Sequence, residues 1–402
     1  MKHAFQDDPI PKQLLGGQDF CPFIPVFGAP KVMFEKGKGT ELWSSDGRRY
    51  LDFLSGIAVV SLGHCNPAVS DAIAEQARTL MHVSNFFSNP VATEAAMRIN
   101  ALMRNAGAGD GQVFFCNSGA EANEAAIKVA RKFGGRGRHA VVTAYGSFHG
   151  RTLGALALTG QPAKHEVFQP MPEGFRYATF GDIKSIESVI DPSVSAVLLE
   201  PIQGEGGVIP ADPAYLRAVQ SLCAERGLLF MMDEVQTGFC RTGKWFGFEH
   251  AGVKPDVVTF AKGIGNGMPV GAIWARKDVA AVMSPGDHGS TYSGTAIATA
   301  AVNAVINEMT RLDACALANA AGERIRAGLN SVPGVDHVRG AGLLLGVALS
   351  EGRDANAVAA DLLGKGLIVN AVNASTLRLA PPLTVSVAEI DEAISLIKEA
   401  VA

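Results

Sequence analysis

The sequence predicts an α/β fold, a mostly parallel sheet with helices on both faces, followed by a smaller α+β domain. Three observations predict it. Short apolar runs without polar alternation recur through the middle of the chain, which suits strands buried on both faces. Segments with apolar residues at helical spacing lie between those runs, and alternating strands and helices build a mainly parallel sheet. From about residue 300 the pattern changes to a long amphipathic stretch, clustered short strands and a terminal helix.

Residues 1–30 are rich in Pro, Gly and aromatic side chains, show no period, and read as an extended arm. With the rest of residues 1–64 they are expected to pack with the smaller domain. Residues 65–298 are expected to form the large domain. Its buried strands are VFFC at 113–116, AVVTA at 140–144, AVLLE at 196–200, LLFMM at 228–232 and VVTF at 257–260. Ala122, Ala125, Ala126, Val129 and Ala130 mark the apolar stripe of a helix between the first two. Residues 299–402 are expected to form the small domain: an Ala-rich helical stretch (299–330), then GAGLLLGVAL, LIVNAV and TLRLAPPL, then a helix through VAEIDEAISLIKEAVA.

A chain of 402 residues with 48% hydrophobic content has enough apolar material for two cores. Its 35 basic and 39 acidic residues leave a net charge of −4. No global attraction to nucleic acid or an anionic membrane follows from that balance. Cys21, Cys65, Cys116, Cys223, Cys240 and Cys315 are scattered without CxxC or zinc-ligand spacing. They read as isolated thiols of a reducing compartment, and no metal is expected. The opening MKHAFQDDPIPKQ carries acids and prolines where a signal peptide needs an apolar stretch. No run approaches the ~18 apolar residues of a membrane span. The expectation is a cytoplasmic protein.

In such sheets ligands bind beyond the carboxyl ends of the strands. After VFFC stands Asn117-Ser118-Gly119-Ala120-Glu121 and a helix start. That is an anion site, because the first N–H groups lack helical partners and the dipole favours negative charge. Taken alone, an ordinary helix start capped by Ser118 or Asn117 is the plainer reading. After AVVTA comes Phe148-His149-Gly150-Arg151, offering a ring and a guanidinium fork for a carboxylate. A core Phe and a surface Arg are the plain alternative. After LLFMM comes Asp233, costly at the end of a buried strand unless paired with a metal, an arginine or a ligand cation. A helix cap or structural ion pair would also satisfy it. After VVTF comes Lys262 among glycines, costly to bury charged unless its side chain snorkels to solvent. Together, a phosphate nest, a ring, a carboxylate and a lysine amine are what one cofactor needs, pyridoxal 5'-phosphate.

These residues carry a resemblance. GIAVVSLGH (56–64), FFCNSGAEANEAA (114–126), YGSFHGRT (145–152), EPIQGEGGV (200–208), MDEVQTGFCRTGKWFGFEHAGVKPDVVTFAKG (232–263) and LRLAPPL (377–383) are similar to the class III pyridoxal-phosphate-dependent aminotransferases, particularly those acting on acetylornithine. The resemblance runs from about residue 20 to the C-terminus. It implies a fold-type I transferase in which Lys262 holds the cofactor as a Schiff base and moves the proton. Asp233 would pair with the ring nitrogen, Gln236 would lie near O3′, and Val235 and Phe148 would sandwich the ring. Ser118, Gly119 and Ala120 would cradle the phosphate, and Thr291 would reach the phosphate of a neighbouring subunit, making a homodimer with composite sites. Arg378 would hold the carboxylate beside the reacting amine of glutamate, and Arg151 the distant one. Glu205 would close onto Arg378 when the donor lacks the near carboxylate, and Ser290 would be a further substrate contact.

The implied reaction moves the δ-amino group of N2-acetyl-L-ornithine to 2-oxoglutarate, a step of arginine biosynthesis. Ile57 stands where ornithine-specific relatives carry a tyrosine, and an isoleucine suits an acylated nitrogen better than an ammonium. Succinylornithine, ornithine and 4-aminobutyrate remain alternative donors. A mutase or racemase on the same fold, or a non-catalytic cofactor-binding sensor, are readings against which the paired arginines and intact Lys262 speak. Two departures stand out. Ser293-Gly294-Thr295-Ala296 replaces the usual Gly-Asn-Pro after the matching threonine, and Cys240 replaces a glycine.

Overall fold

The computed structural model describes residues 23–28 and 30–402. Most of the expected N-terminal arm, with Cys21, lies outside the described residues.

A seven-stranded sheet is built from strands between residues 111 and 276. Its spatial order is Gly111–Cys116, Gly271–Arg276, Val257–Phe260, Leu229–Asp233, Val194–Leu199, Ala140–Ala144, Phe175–Ala178. Six strands run one way and Gly271–Arg276 runs against them. All five apolar runs read from the sequence are strands of this sheet. The runs show why: from Val194 to Leu199 and from Leu229 to Asp233 every residue is buried, as a sheet covered on both faces requires. The antiparallel strand GAIWAR was not anticipated; it too is an apolar run, bounded by a glycine and an arginine.

The helix Gly119–Gly134 starts at an N-cap made by Ser118, whose hydroxyl accepts from the Glu121 N–H. It lays Ala122, Ala126 and Ala130 against the sheet. A second sheet, in the order Val335–Ala341, Leu344–Leu349, Thr376–Leu379, Asn370–Asn373, is packed by helices Ala314–Leu329 and Ala355–Lys365, and Val387–Val401 packs on both helices. Leu367–Ile368 leaves this region to pair with Arg49–Asp52, so the N-terminal hairpin segment is tied to the C-terminal part of the chain.

The stretch expected as one helix at 299–330 is two, Ala296–Leu312 and Ala314–Leu329. Asp313 takes a left-handed conformation (φ 48°) between them and caps the second helix by accepting from the Ala316 N–H. The first of the pair packs on helices Pro67–Thr79 and Pro90–Asn105. No described helix is long and apolar enough to cross a membrane.

Candidate active site

A cavity of about 270 Å³ opens beyond the carboxyl ends of the parallel strands. Lys262, Asp233, Glu205, Gly119, Ala120, Phe148, Val235, Gln236 and Arg151 line it. Each arrives by the same rule, as the first residues after a buried strand or in the turn that follows.

Asp233 ends its strand with 4% exposure. Its Oδ2 accepts from Asn123 Nδ2 at 2.8 Å and from His149 Nδ1 at 2.7 Å, and its Oδ1 accepts from the Val235 N–H at 2.9 Å. The network extends outward. Thr259 Oγ1 donates to Asn123 Oδ1 at 2.9 Å, and the far nitrogen of His149 lies 3.1 Å from Thr143 Oγ1. A carboxylate only accepts, so His149 carries its proton on Nδ1. The next residue, Glu234, points the other way and takes the Gly247 and Phe248 N–H groups; burial raises its carboxyl to about 7. Strand alternation therefore separates one carboxylate that faces the cavity from one that holds a loop.

Lys262 follows the strand Val257–Phe260 with φ 51°, a left-handed conformation unusual for a lysine. Burial, then the nearby Arg378 cation, pull its amine down to about 8, against Glu205, Asp233 and Glu200. Glu200 closes the strand Val194–Leu199 and accepts from the Phe148 N–H at 3.3 Å. Burial, reinforced by the charge of Asp233, raises it well above the ordinary carboxylate range.

The helix after Ser118 presents its first residues, Gly119 and Ala120, to the cavity. A Cβ at Gly119 would meet Val235 Cγ1 at 2.8 Å, and one at Gly150 would meet Ala120 Cβ at 2.7 Å. Glycine at both positions keeps the wall open.

The two arginines differ. Arg151 is exposed, with its guanidinium 5.5 Å from the centre of the Phe148 ring. Arg378 is 1% exposed, reaches in from the second sheet, and donates from Nη1 to Glu205 Oε1 at 2.5 Å and to Gln236 Oε1 at 3.2 Å. Burial opposes ionisation of Glu205, but the guanidinium outweighs it and holds the carboxyl below its usual value. Arg378 Nη2 is buried without a partner.

Five expected site residues are not among those lining the cavity. Ser118 caps the helix whose next two residues line it, and Arg378 touches the lining residues Glu205 and Gln236. Ile57 is 40% exposed in a turn with φ 67°. Ser290 accepts from Asn117 Nδ2 at 2.9 Å, outside the cavity, and Thr291 is exposed beside it. Sequence reading passed over Asn123 and Glu200, and named His149 only beside the Phe148 ring, not as a partner of Asp233. Asn123 breaks an otherwise apolar helix stripe, a usable signal. Glu200 obeys the strand-end rule already applied to Asp233.

Residues 27–401 match the family described as Aminotransferase class-III. The acetylornithine aminotransferase of Caldanaerobacter subterraneus subsp. tengcongensis is 47% identical over 377 residues, 92% of this chain and 94% of that one. Its namesake from Bacillus subtilis is 44% identical over 382 residues, 94% of this chain and 97% of that one. Among solved structures, the ornithine aminotransferase from Toxoplasma gondii ME49 superposes with a TM-score of 0.88 at 32% identity, covering 93% of this chain and 91% of that one. The N-acetylornithine aminotransferase from Stenotrophomonas maltophilia K279a gives 0.79 at 33% identity, covering 92% and 95%. The strand-end cavity and these likenesses agree, and the chain belongs to the class-III aminotransferases.

Proposed function

We propose that this aminotransferase binds pyridoxal 5'-phosphate at Lys262 and moves the δ-amino group of N2-acetyl-L-ornithine to 2-oxoglutarate, giving N-acetylglutamate 5-semialdehyde and L-glutamate. The observation that carries the reading is the unequal state of the two arginines. Arg378 is closed by Glu205, as suits a donor with no carboxylate beside its reacting amine, while Arg151 stands free for a distant one. Relatives at 44–47% identity named for acetylornithine support the donor.

The residues fit the cofactor. Asp233, fixed by Asn123 and His149, offers a carboxylate for a protonated ring nitrogen. The first-turn N–H groups at Gly119 and Ala120 form an anion site for the phosphate. Val235 and Phe148 offer apolar faces for the ring, and Gln236 a polar contact. When bound, the cofactor supplies an aldehyde for the amine and an electron-withdrawing ring that stabilises charge at the substrate carbon.

The chain's own groups do the rest. Lys262 Nζ, once free, takes a proton from the substrate carbon and returns it elsewhere, a task suited to an amine near pH 8. Arg151 orients the acetylornithine carboxylate. In the second half-reaction Glu205 leaves Arg378, which then takes the near carboxylate of glutamate or 2-oxoglutarate.

The reading includes a homodimer. Thr291 lies outside its own cavity; Tyr292 beside it is 63% exposed, and Phe86 (94%) and Phe87 (72%) follow Asn85, whose Nδ2 donates to the Ser290 carbonyl. A second copy seated there would bury them and bring Thr291, with Ser290, to the partner's site.

The test is an absorption spectrum of the purified protein, repeated after N-acetylornithine and again after 2-oxoglutarate. A band near the visible edge is expected to bleach with the donor and return with the keto acid. A band that ignores acetylornithine but bleaches with glutamate discards the donor. No band after added cofactor overturns the reading.

A further inference from the structure

Arg378 carries two forks able to take a carboxylate at two points: the end-on pair Nη1/Nη2 and the side-on pair Nε/Nη2. Glu205 occupies Nη1. The other side is occupied too. Asn370 stands directly opposite Arg378 across the strand pair Asn370–Asn373 and Thr376–Leu379, and its Oδ1 accepts from Arg378 Nε at 3.1 Å. Nη2, the corner shared by both forks, has no partner.

We propose that Asn370 is a positioning residue that closes the side-on fork of Arg378, so that a substrate carboxylate can bind at two points only by expelling Glu205. This inference rests on the reading that Arg378 receives the near carboxylate. Without Asn370, Nε and Nη2 would form a free fork while Glu205 stayed on Nη1. Substrate and Glu205 would then share one guanidinium, and the either-or choice between the two amine classes would be lost. The backbone pairing sets the Asn370 side chain opposite the arginine, so the guanidinium stays in place while the glutamate moves.

The test is the coupling between Asn370 and Glu205. Binding of glutarate, a non-reacting dicarboxylate of the same span as glutamate, is measured by calorimetry on the holoenzyme for wild type, Glu205→Gln, Asn370→Leu and the double variant. With Asn370 present, removing the competing charge is expected to tighten glutarate roughly tenfold, about 1.4 kcal/mol. In the Asn370→Leu background the tightening should fall to about twofold or less, a non-additivity expected only of groups that act on one another. Asn370→Leu should keep kcat/KM for the acetylated donor while changing KM for glutamate; Asn370→Asp, which keeps the acceptor oxygen, should restore the wild-type donor-to-glutamate ratio of kcat/KM in part. Equal tightening in both backgrounds overturns the proposal. Equal losses on both substrates in Asn370→Leu assign Asn370 to folding alone and overturn it as well. If Glu205→Gln leaves glutarate binding unchanged even with Asn370 present, the parent reading of Arg378 fails first.

Discussion

Arg151 lines the cavity and Arg378 reaches two of its wall residues, Glu205 and Gln236, from the second sheet, and the two arginines stand in opposite states. Arg151 sits on the loop after the strand Ala140–Ala144, exposed, over the Phe148 ring, with no carboxylate in ion-pair range among the described residues. Arg378 is buried in the second sheet and already holds Glu205, Gln236 and Asn370. Burial explains the difference. A guanidinium taken out of water is costly without a counter-ion, whereas an exposed one keeps its hydration. On the proposed reading, a buried receptor must be emptied before it can accept a substrate, and an exposed one need not be. Identical side chains would then act as a selective and a permissive site through their surroundings.

The largest effect should come from removing the buried receptor. Arg378→Leu alone would strand the Glu205 charge, so the informative variant is Arg378→Leu with Glu205→Gln. Loss of a desolvated, two-point ion pair costs about 2–5 kcal/mol. We expect kcat/KM for glutamate to fall about a hundredfold or more, with the acetylated donor changed by less than about fivefold. Half-reaction kinetics with each substrate check this, and equal losses on both would break the comparison.

Arg151→Leu should act more weakly and on both substrates. An exposed charge-assisted hydrogen bond contributes about 1.5–3 kcal/mol before screening, so a loss near tenfold in kcat/KM is expected for donor and glutamate alike. Its screening is itself a readout. Raising the salt should increase KM for the donor in the wild type and have little further effect in Arg151→Leu. A salt response that persists without Arg151 would place the permissive receptor elsewhere.

The same contrast governs what the sequence revealed. The five continuous apolar runs made the parallel sheet legible, and the strand-end rule then located Asp233 and Lys262. The antiparallel strand Gly271–Arg276 escaped because apolar continuity says nothing of direction. Asn123 and His149 escaped as partners of Asp233 for another reason. They meet Asp233 across 110 and 84 positions of chain, a proximity set by packing and not by local pattern. The Asp313 break was hidden because alanine-rich segments on either side share one helical signal. The closure of Arg378 by Glu205 was implied by the resemblance, but the Asn370 contact was not anticipated, because it depends on the register that sets Asn370 opposite Arg378.

The finest distinction between the arginines is electrostatic, and Lys262 reports it. Burial lowers its amine first and the Arg378 cation second, while Glu205, Asp233 and Glu200 oppose them, leaving it at about 8. A depressed value means that Nζ sheds its proton above about pH 8, where a solvated lysine holds it until ~10.4. Between those values the unfolded chain binds more protons than the folded one, so this group's contribution to apoprotein stability rises with pH across the window. The rate at which apoprotein reacts with an aldehyde reagent should follow the neutral amine, climbing with pH and levelling above about pH 8. Arg378→Leu removes a cation and leaves Glu205 in place, so the profile should move to higher pH. Glu205→Gln removes an opposing anion, so the profile should move lower. Arg151, which is not among the largest influences on Lys262, should leave the profile nearly where it is when changed to leucine. An equal displacement by Arg151→Leu would mean that both cations act on the amine, and that burial alone does not set the two arginines apart.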